Sequence, residues 1–193
     1  MRTLQILSIS AVLVLCVSTS ATAREIDAPL RDRHVIVDGE GAGRILFRTE
    51  AIDLDSSSRI ERAVLTIPFS GSAEERYLEL RLCPVTTAWN SSATWESGWT
   101  EAGGDFDGTS CSPAEITFSR GAGVAVFDVT RALKEVLEEG AFADGFILRE
   151  RHGSRPGFDE DDLDRFADFS AAELTIQTSV MPAGLPPWTR RES

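Results

Sequence analysis

Arg62–Phe69 reads RAVLTIPF, and its alternation decides the fold class. Ala63, Leu65, Ile67 and Phe69 fall on one face, while Val64, Thr66 and Pro68 fall on the other. A period of two with one apolar face is the pattern of a half-buried β-strand. YLELRLC (Tyr77–Cys83) repeats it, with Leu78, Leu80 and Leu82 inward and Tyr77, Glu79, Arg81 and Cys83 outward. Working outward from these two, RILFR (Arg44–Arg48), EITFS (Glu115–Ser119), GVAVFDV (Gly123–Val129), DGFILRER (Asp144–Arg151) and AELTIQT (Ala172–Thr178) continue the strand pattern between Gly- and Asp-rich turns. Many antiparallel strands punctuated by turns indicate a sandwich or barrel. The expected fold is mainly β, an antiparallel jelly-roll-like β-sandwich.

One segment breaks the period. In DVTRALKEVLEEG (Asp128–Gly140), Val129, Ala132, Leu133, Val136 and Leu137 recur at helical spacing. Asp128 or Thr130 can cap its start and Gly140 can close its end. This predicts one short amphipathic α-helix over residues 129–139, lying across an edge or end of the sandwich.

The ends of the chain read differently. Residues 1–23 carry Arg2, an apolar run centred on Ile9 to Val17, and Ala21-Thr22-Ala23. That is the order of a secretory signal peptide. The alternative is a membrane anchor; the uncharged stretch from Ile6 to Ala23 is long enough, but Ser and Thr dilute it. A lipoprotein site at Cys16 does not fit, because Leu15 stands where a small residue is needed. The expected location is therefore secreted, extracellular or periplasmic, with no stable membrane insertion after cleavage. Residues 24–178 form a single domain, and residues 179–193, SVMPAGLPPWTRRES, read as a flexible Pro-containing tail. Arg151–Asp164 reads as a polar loop.

With Cys16 in the signal segment, Cys83 and Cys111 remain. An even pair in a secreted chain reads as a disulfide. Closing a loop of that length contributes about 3.6 kcal/mol on the chain-entropy model. The formal net charge is −12, and Lys134 is the only lysine. Such a surface repels phosphate backbones and excludes nucleic acid as a partner. It also disfavours acidic polysaccharides through bulk charge, leaving only a local arginine patch for that purpose.

The cysteines enclose CPVTTAWNSSATWESGWTEAGGDFDGTSC, which holds Trp89, Trp95 and Trp99. Exposed indole faces stack on pyranose rings, so these three are the ligand-binding candidates. The competing reading is that they plug a core under irregular backbone. Trp99 lies among Ser97, Gly98, Thr100 and Glu101, the context best suited to an exposed ring. Asp105 and Asp107 alternate before Gly108, as carboxylate ligands of calcium can be arranged, without the full spacing of an EF-hand. FDEDDLD (Phe158–Asp164) adds further acids, which also suit a solvated loop. No other cofactor is implied. His34 and His152 have no Cys or His partner at transition-metal spacing. Asn90-Ser91-Ser92 forms a glycosylation sequon. No nucleophile elbow, zinc-protease motif or phosphate loop is present, and the expectation is a protein that is not an enzyme.

The landmarks also fall in a familiar order: RILFR, IERAVLTI, VTTAWNSSATW with its glycine-acid turn, VFDVTRALKEV, DGFILRE and AELTIQ. This series, over residues 28–178, resembles the secreted β-sandwich domains called DNRLRE domains, which are grouped with a family of carbohydrate-binding modules. In that family a W-x(n)-T-W segment follows a strand, D-V-T opens the helix and G-F-x-L forms the next strand. The resemblance implies core packing for Trp89 and Trp95. It also implies a carbohydrate-binding module taking a polysaccharide or surface glycan. The alternative is a structural or protein-interaction module of the cell surface or envelope, with a protein partner and no sugar site. The short segment DAPLRDRHVIVDGEGAG and the cysteine pair depart from the family pattern.

Overall fold

The computed structural model describes residues 23–49, 52, 54, 58–70, 79–139, 145–150, 158, 163, 165–166 and 171–180; for residues 136–139 it describes the backbone alone. Residues 1–22 of the signal segment and residues 181–193 of the Pro-containing stretch lie outside the described residues. The strands are β1 (Ala23–Val37), β2 (Gly43–Thr49), β3 (Ser58–Ser70), β4 (Leu80–Pro84), β5 (Ser112–Ser119), β6 (Ala122–Asp128), β7 (Phe146–Glu150) and β8 (Glu173–Val180), with α1 (Thr130–Glu139) between β6 and β7.

The fold is a closed antiparallel barrel with strand order β1-β2-β7-β4-β5-β6-β3-β8, which corrects the expected jelly-roll-like sandwich. Two strands close the ring by changing partner along their length. Ala23–Pro29 of β1 pair with β8, and Leu30–Val37 pair with β2, with a register shift between Arg31 and His34. Asp32 takes a positive φ of 51° within that shift. Ser112 and Pro113 of β5 pair with β4, while Ala114–Ser119 pair with β6. Alternation in a sequence reports which side chains point inward; it carries no record of whether a sheet edge is open or joined.

Side chains fill the interior. Ile45, Phe47, Leu65, Ile67, Leu80, Leu82, Phe127, Phe146 and Leu148 point inward from the strands. Phe158 and Phe166 come from the segment between β7 and β8 and are fully buried there. Phe158 is pinned by a bridge to Gly43, with N–O distances of 2.6 and 2.8 Å. The ring of Phe69 lies directly over Gly123, where an added Cβ would sit 2.3 Å from Cζ. Only a residue without a side chain permits that approach.

The helix falls where its periodicity places it. Asp128 Oδ1 accepts the Thr130 N–H at 3.0 Å, and Thr130 Oγ1 accepts the Ala63 N–H at 2.9 Å. The start of α1 is thereby tied to β3. Ala132 and Leu133 are buried in the barrel core. The side chains of Val136, Leu137 and Glu138 lie outside the described residues.

Candidate functional site

Along β2 the inward residues Ile45 and Phe47 alternate with Arg44, Leu46 and Arg48 on the outer face. Leu46 pairs with Ile147 of β7, and Ile147 with Cys83 of β4. With Ile36 of β1 these form an apolar outer patch, and the segment between Cys83 and Cys111 lies over it. Val85, Trp89 and Ala93 descend into a second core there, with Trp95, Trp99 and Phe106 packed at its margin. The loop therefore covers the outer wall of the barrel, and one side of the sheet is buried on both faces.

Three devices hold the loop. Cys83 and Cys111 form a disulfide, with Cα atoms 4.1 Å apart. Val85 and Phe106 form an antiparallel bridge, in which Thr86 N donates to Asp105 O and Asp107 N donates to Pro84 O, both at 3.0 Å. Turns built on side-chain acceptors fix the rest. Asn90 Oδ1 accepts the Ser92 N–H at 2.8 Å. Asp105 accepts from Thr100 N (2.8 Å), Glu101 N (2.9 Å) and Thr87 Oγ1 (2.8 Å). Desolvation pushes the Asp105 pKa up, but these hydrogen bonds together outweigh it and hold the carboxyl below its ordinary value. Hydrogen bonds from Ser110 and Thr109 hold Asp107 at about 2.

Arginines complete the second core. Arg48 stacks on Trp89, with its Cζ 4.3 Å from the ring centroid, and donates through Nη2 to the Trp89 carbonyl. His34 stacks near the same ring, 6.1 Å between centroids and 19° off parallel, and its Nε2 contacts Ala93 O at 2.6 Å. Arg44 is 7% exposed, with its Cζ 4.6 Å from the Trp95 ring and 5.5 Å from Phe106. Its Nη1 donates to the Gly103 carbonyl, and its buried Nε has no hydrogen-bond partner among the described residues. Burial, then the neighbouring Arg149, push the Arg44 pKa down to about 10 against the opposing pull of Asp38. Gly103, at φ +88°, permits the close approach: an added Cβ would meet Arg44 Nη1 at 2.7 Å and Trp95 Cζ2 at 2.9 Å.

The structure places the tryptophans, the loop aspartates and one of the two histidines singled out from the sequence. Trp89 is buried in the second core. Trp95 is half-buried on Arg44. Trp99 is half-buried and its Nε1 donates to Thr94 O at 2.8 Å. Asp105 and Asp107 sit one residue either side of Phe106 and accept hydrogen bonds from their own loop. His34 joins the Trp89 contact, while His152 and the acids Asp159, Glu160, Asp161, Asp162 and Asp164 lie outside the described residues. Among the described residues no group of three or more His, Cys, Asp or Glu is placed to hold a metal ion. A shallow hollow beside α1 is lined by Asp128, Thr130, Arg131, Lys134 and Glu135. Its Glu135 accepts from Arg131 Nε at 2.8 Å and Ser110 Oγ at 2.7 Å, and these bonds lower its pKa.

The sequence reading passed over Arg44 and Arg48. Their signal is the alternation itself, since RILFR puts Arg-Leu-Arg on the face opposite Ile and Phe. No protein-family model matches this chain, and comparison with curated proteins and with solved structures likewise found no match.

Proposed function

We propose that the protein is a non-catalytic structural or protein-interaction module displayed outside the cytosol. One observation carries the choice: all three indoles of the Cys83–Cys111 loop are engaged within the chain. Trp89 is contacted by Arg48 and by His34, Trp95 lies against Arg44, and Trp99 spends its N–H on Thr94. A sugar platform needs aromatic faces turned to solvent with polar groups around them. The disulfide supports an oxidising compartment, as does the signal-like start of the sequence. The order of landmarks that resembles DNRLRE domains accommodates this role. Carbohydrate binding is the second reading, and it rests on Trp99, which keeps part of its ring accessible at the loop margin.

A glycan array separates the two. The expected result is no specific glycan bound by the full, disulfide-bonded chain, with specific capture of a protein partner from the source cell surface by cross-linking. A glycan bound by wild type and lost in a folded Trp99→Ala variant overturns this reading in favour of the second.

A further inference from the structure

Two walls of the barrel differ in what lies outside them. The second core covers the outer face of β2, β7 and β4, and none of its residues comes from β3, β6 or β8. On those three strands Leu65, Ile67, Phe127, Leu174 and Ile176 point inward. Val64, Thr66, Pro68, Val124, Val126 and Thr175 therefore point outward, and all six are half-buried. The solvated face of an antiparallel sheet is ordinarily polar. The centre of this one is valine, threonine and proline.

The register sets acids around that centre. One row across the strands runs Glu115, Val126, Thr66, Glu173, from β5 to β8. The next runs Asp128, Val64, Thr175, Asp27, from β6 to β1. Each row holds two β-branched residues between two carboxylates. Three strand spacings, about 14 Å, separate the two acidic positions of a row. Asp128 is already engaged: it accepts from Thr130 N, and the charges of Arg62 and Lys134 act on it. Glu115, Glu173 and Asp27 are exposed and have no ion pair or side-chain hydrogen bond among the described residues. The first row is thus uncompensated at both ends.

We propose that this wall docks a cationic protein segment, which crosses the strands with an apolar side chain over Val126 and Thr66 and a Lys or Arg facing Glu115 and Glu173 at either end. The proposal rests on the interaction-module reading and names its surface and the chemistry of its partner. Charge selects this occupant. A second copy of the chain would bring the uncompensated carboxylates of both copies together, and anionic lipid or nucleic acid is repelled in the same way. Neither row holds an aromatic ring on which a sugar could stack. In an extended segment, residues i and i+4 lie about 14 Å apart on one face, with i+2 between them. The matching pattern is basic, apolar, basic at alternate positions.

The probes are two peptides of one composition, acetyl-TRTVTRT-amide and acetyl-TRRVTTT-amide. Each is titrated at low ionic strength into the full, disulfide-bonded chain, and backbone amide chemical shifts are followed. The first peptide is expected to bind saturably, with shifts centred on Val126, Thr66, Glu115 and Glu173. The second, with its arginines adjacent, should bind about threefold or more weakly. Glu115→Gln/Glu173→Gln should weaken the first peptide by a similar factor and keep the wild-type urea midpoint, because both positions are exposed. Val126→Lys sets a cation at the centre and should abolish binding; the glutamine pair keeps the test decisive where that variant fails to fold. Absence of saturable binding, equal binding of the two peptides, shifts away from this wall, or an undiminished response in the glutamine pair overturns the proposal. Self-association of wild type that Val126→Lys removes also overturns it, and assigns the wall to a second copy. A captured cell-surface partner that binds Glu115→Gln/Glu173→Gln as tightly as wild type refutes this surface and keeps the module. A glycan bound through Trp99 refutes the module, and the peptide titration still reads the wall on its own.

Discussion

Replacing Trp89 with alanine tests the second core. Trp89 is 6% exposed and packs under the loop against the outer wall formed by Leu46, Ile147, Cys83 and Ile36. Truncating a buried tryptophan to alanine costs about 3–5 kcal/mol through lost transfer energy and the cavity left behind. The Arg48 guanidinium loses its ring, an attraction of about 0.5–2 kcal/mol depending on how dry the contact is. Its Nη2 bond to the backbone carbonyl of residue 89 survives, because alanine keeps that carbonyl. The two losses overlap, since the ring is removed once, so the expected destabilisation stays at about 3–5 kcal/mol. Trp99→Ala should cost clearly less, because that ring is only half-buried and its N–H bonds to a carbonyl of its own loop. Urea unfolding followed by far-UV circular dichroism measures both, as shifts in midpoint at constant slope. Equal midpoints for Trp89→Ala and wild type, or a larger loss in Trp99→Ala, would refute the assignment of Trp89 to a packed second core.

Three further outcomes follow from the geometry. A non-reducing digest should yield a linked Cys83–Cys111 peptide, and Cys83→Ser/Cys111→Ser should lower stability by up to about 3.6 kcal/mol on the loop-entropy model; separate peptides from the native protein would contradict the staple. The Asp107 pKa is lowered to about 2 from 3.8, so its hydrogen bonds stabilise the fold above the ordinary carboxylate pKa and are lost as pH falls through about 2. Asp107→Asn should flatten that part of the acid unfolding curve, and an unchanged curve would show that the bonds contribute nothing. Leu133→Ala, at a fully buried position of α1, should cost about 2–5 kcal/mol, and an unchanged urea midpoint would place that residue outside the core.

The helix was legible because its signals are local. Its cap lies at Asp128 and Thr130, and Ala132 and Leu133 turn inward as the spacing requires. The strands with clean alternation, such as β3, were legible for the same reason. β1 was not: Arg24, Glu25, Asp27, Arg31, Asp32 and Arg33 interrupt its apolar positions, and the register shift breaks its period midway. Phe158 was read within a polar loop because acids follow it, yet a bridge to Gly43 draws it into the barrel. Barrel closure is a pairing between distant strands and leaves no mark in either one. At the site, the three tryptophans and the two cysteines stood out by composition. Their partners did not, because Arg44 and Arg48 precede Trp95 and Trp89 by about forty to fifty residues and meet them only after the loop folds over β2.

The placement of the aromatic residues determines what optical probes report. The barrel interior is furnished with phenylalanine, including Phe47, Phe127, Phe146, Phe158 and Phe166. Three of the chain's four tryptophans sit outside it, in the covering loop. Intrinsic fluorescence excited at the indole band therefore reads attachment of that cover far more than integrity of the barrel. A loop that lifts while the strands stay paired changes emission and leaves the far-ultraviolet spectrum in place. Comparing the two signals along one titration distinguishes a cover that unfolds with the barrel from one that opens as a separate unit.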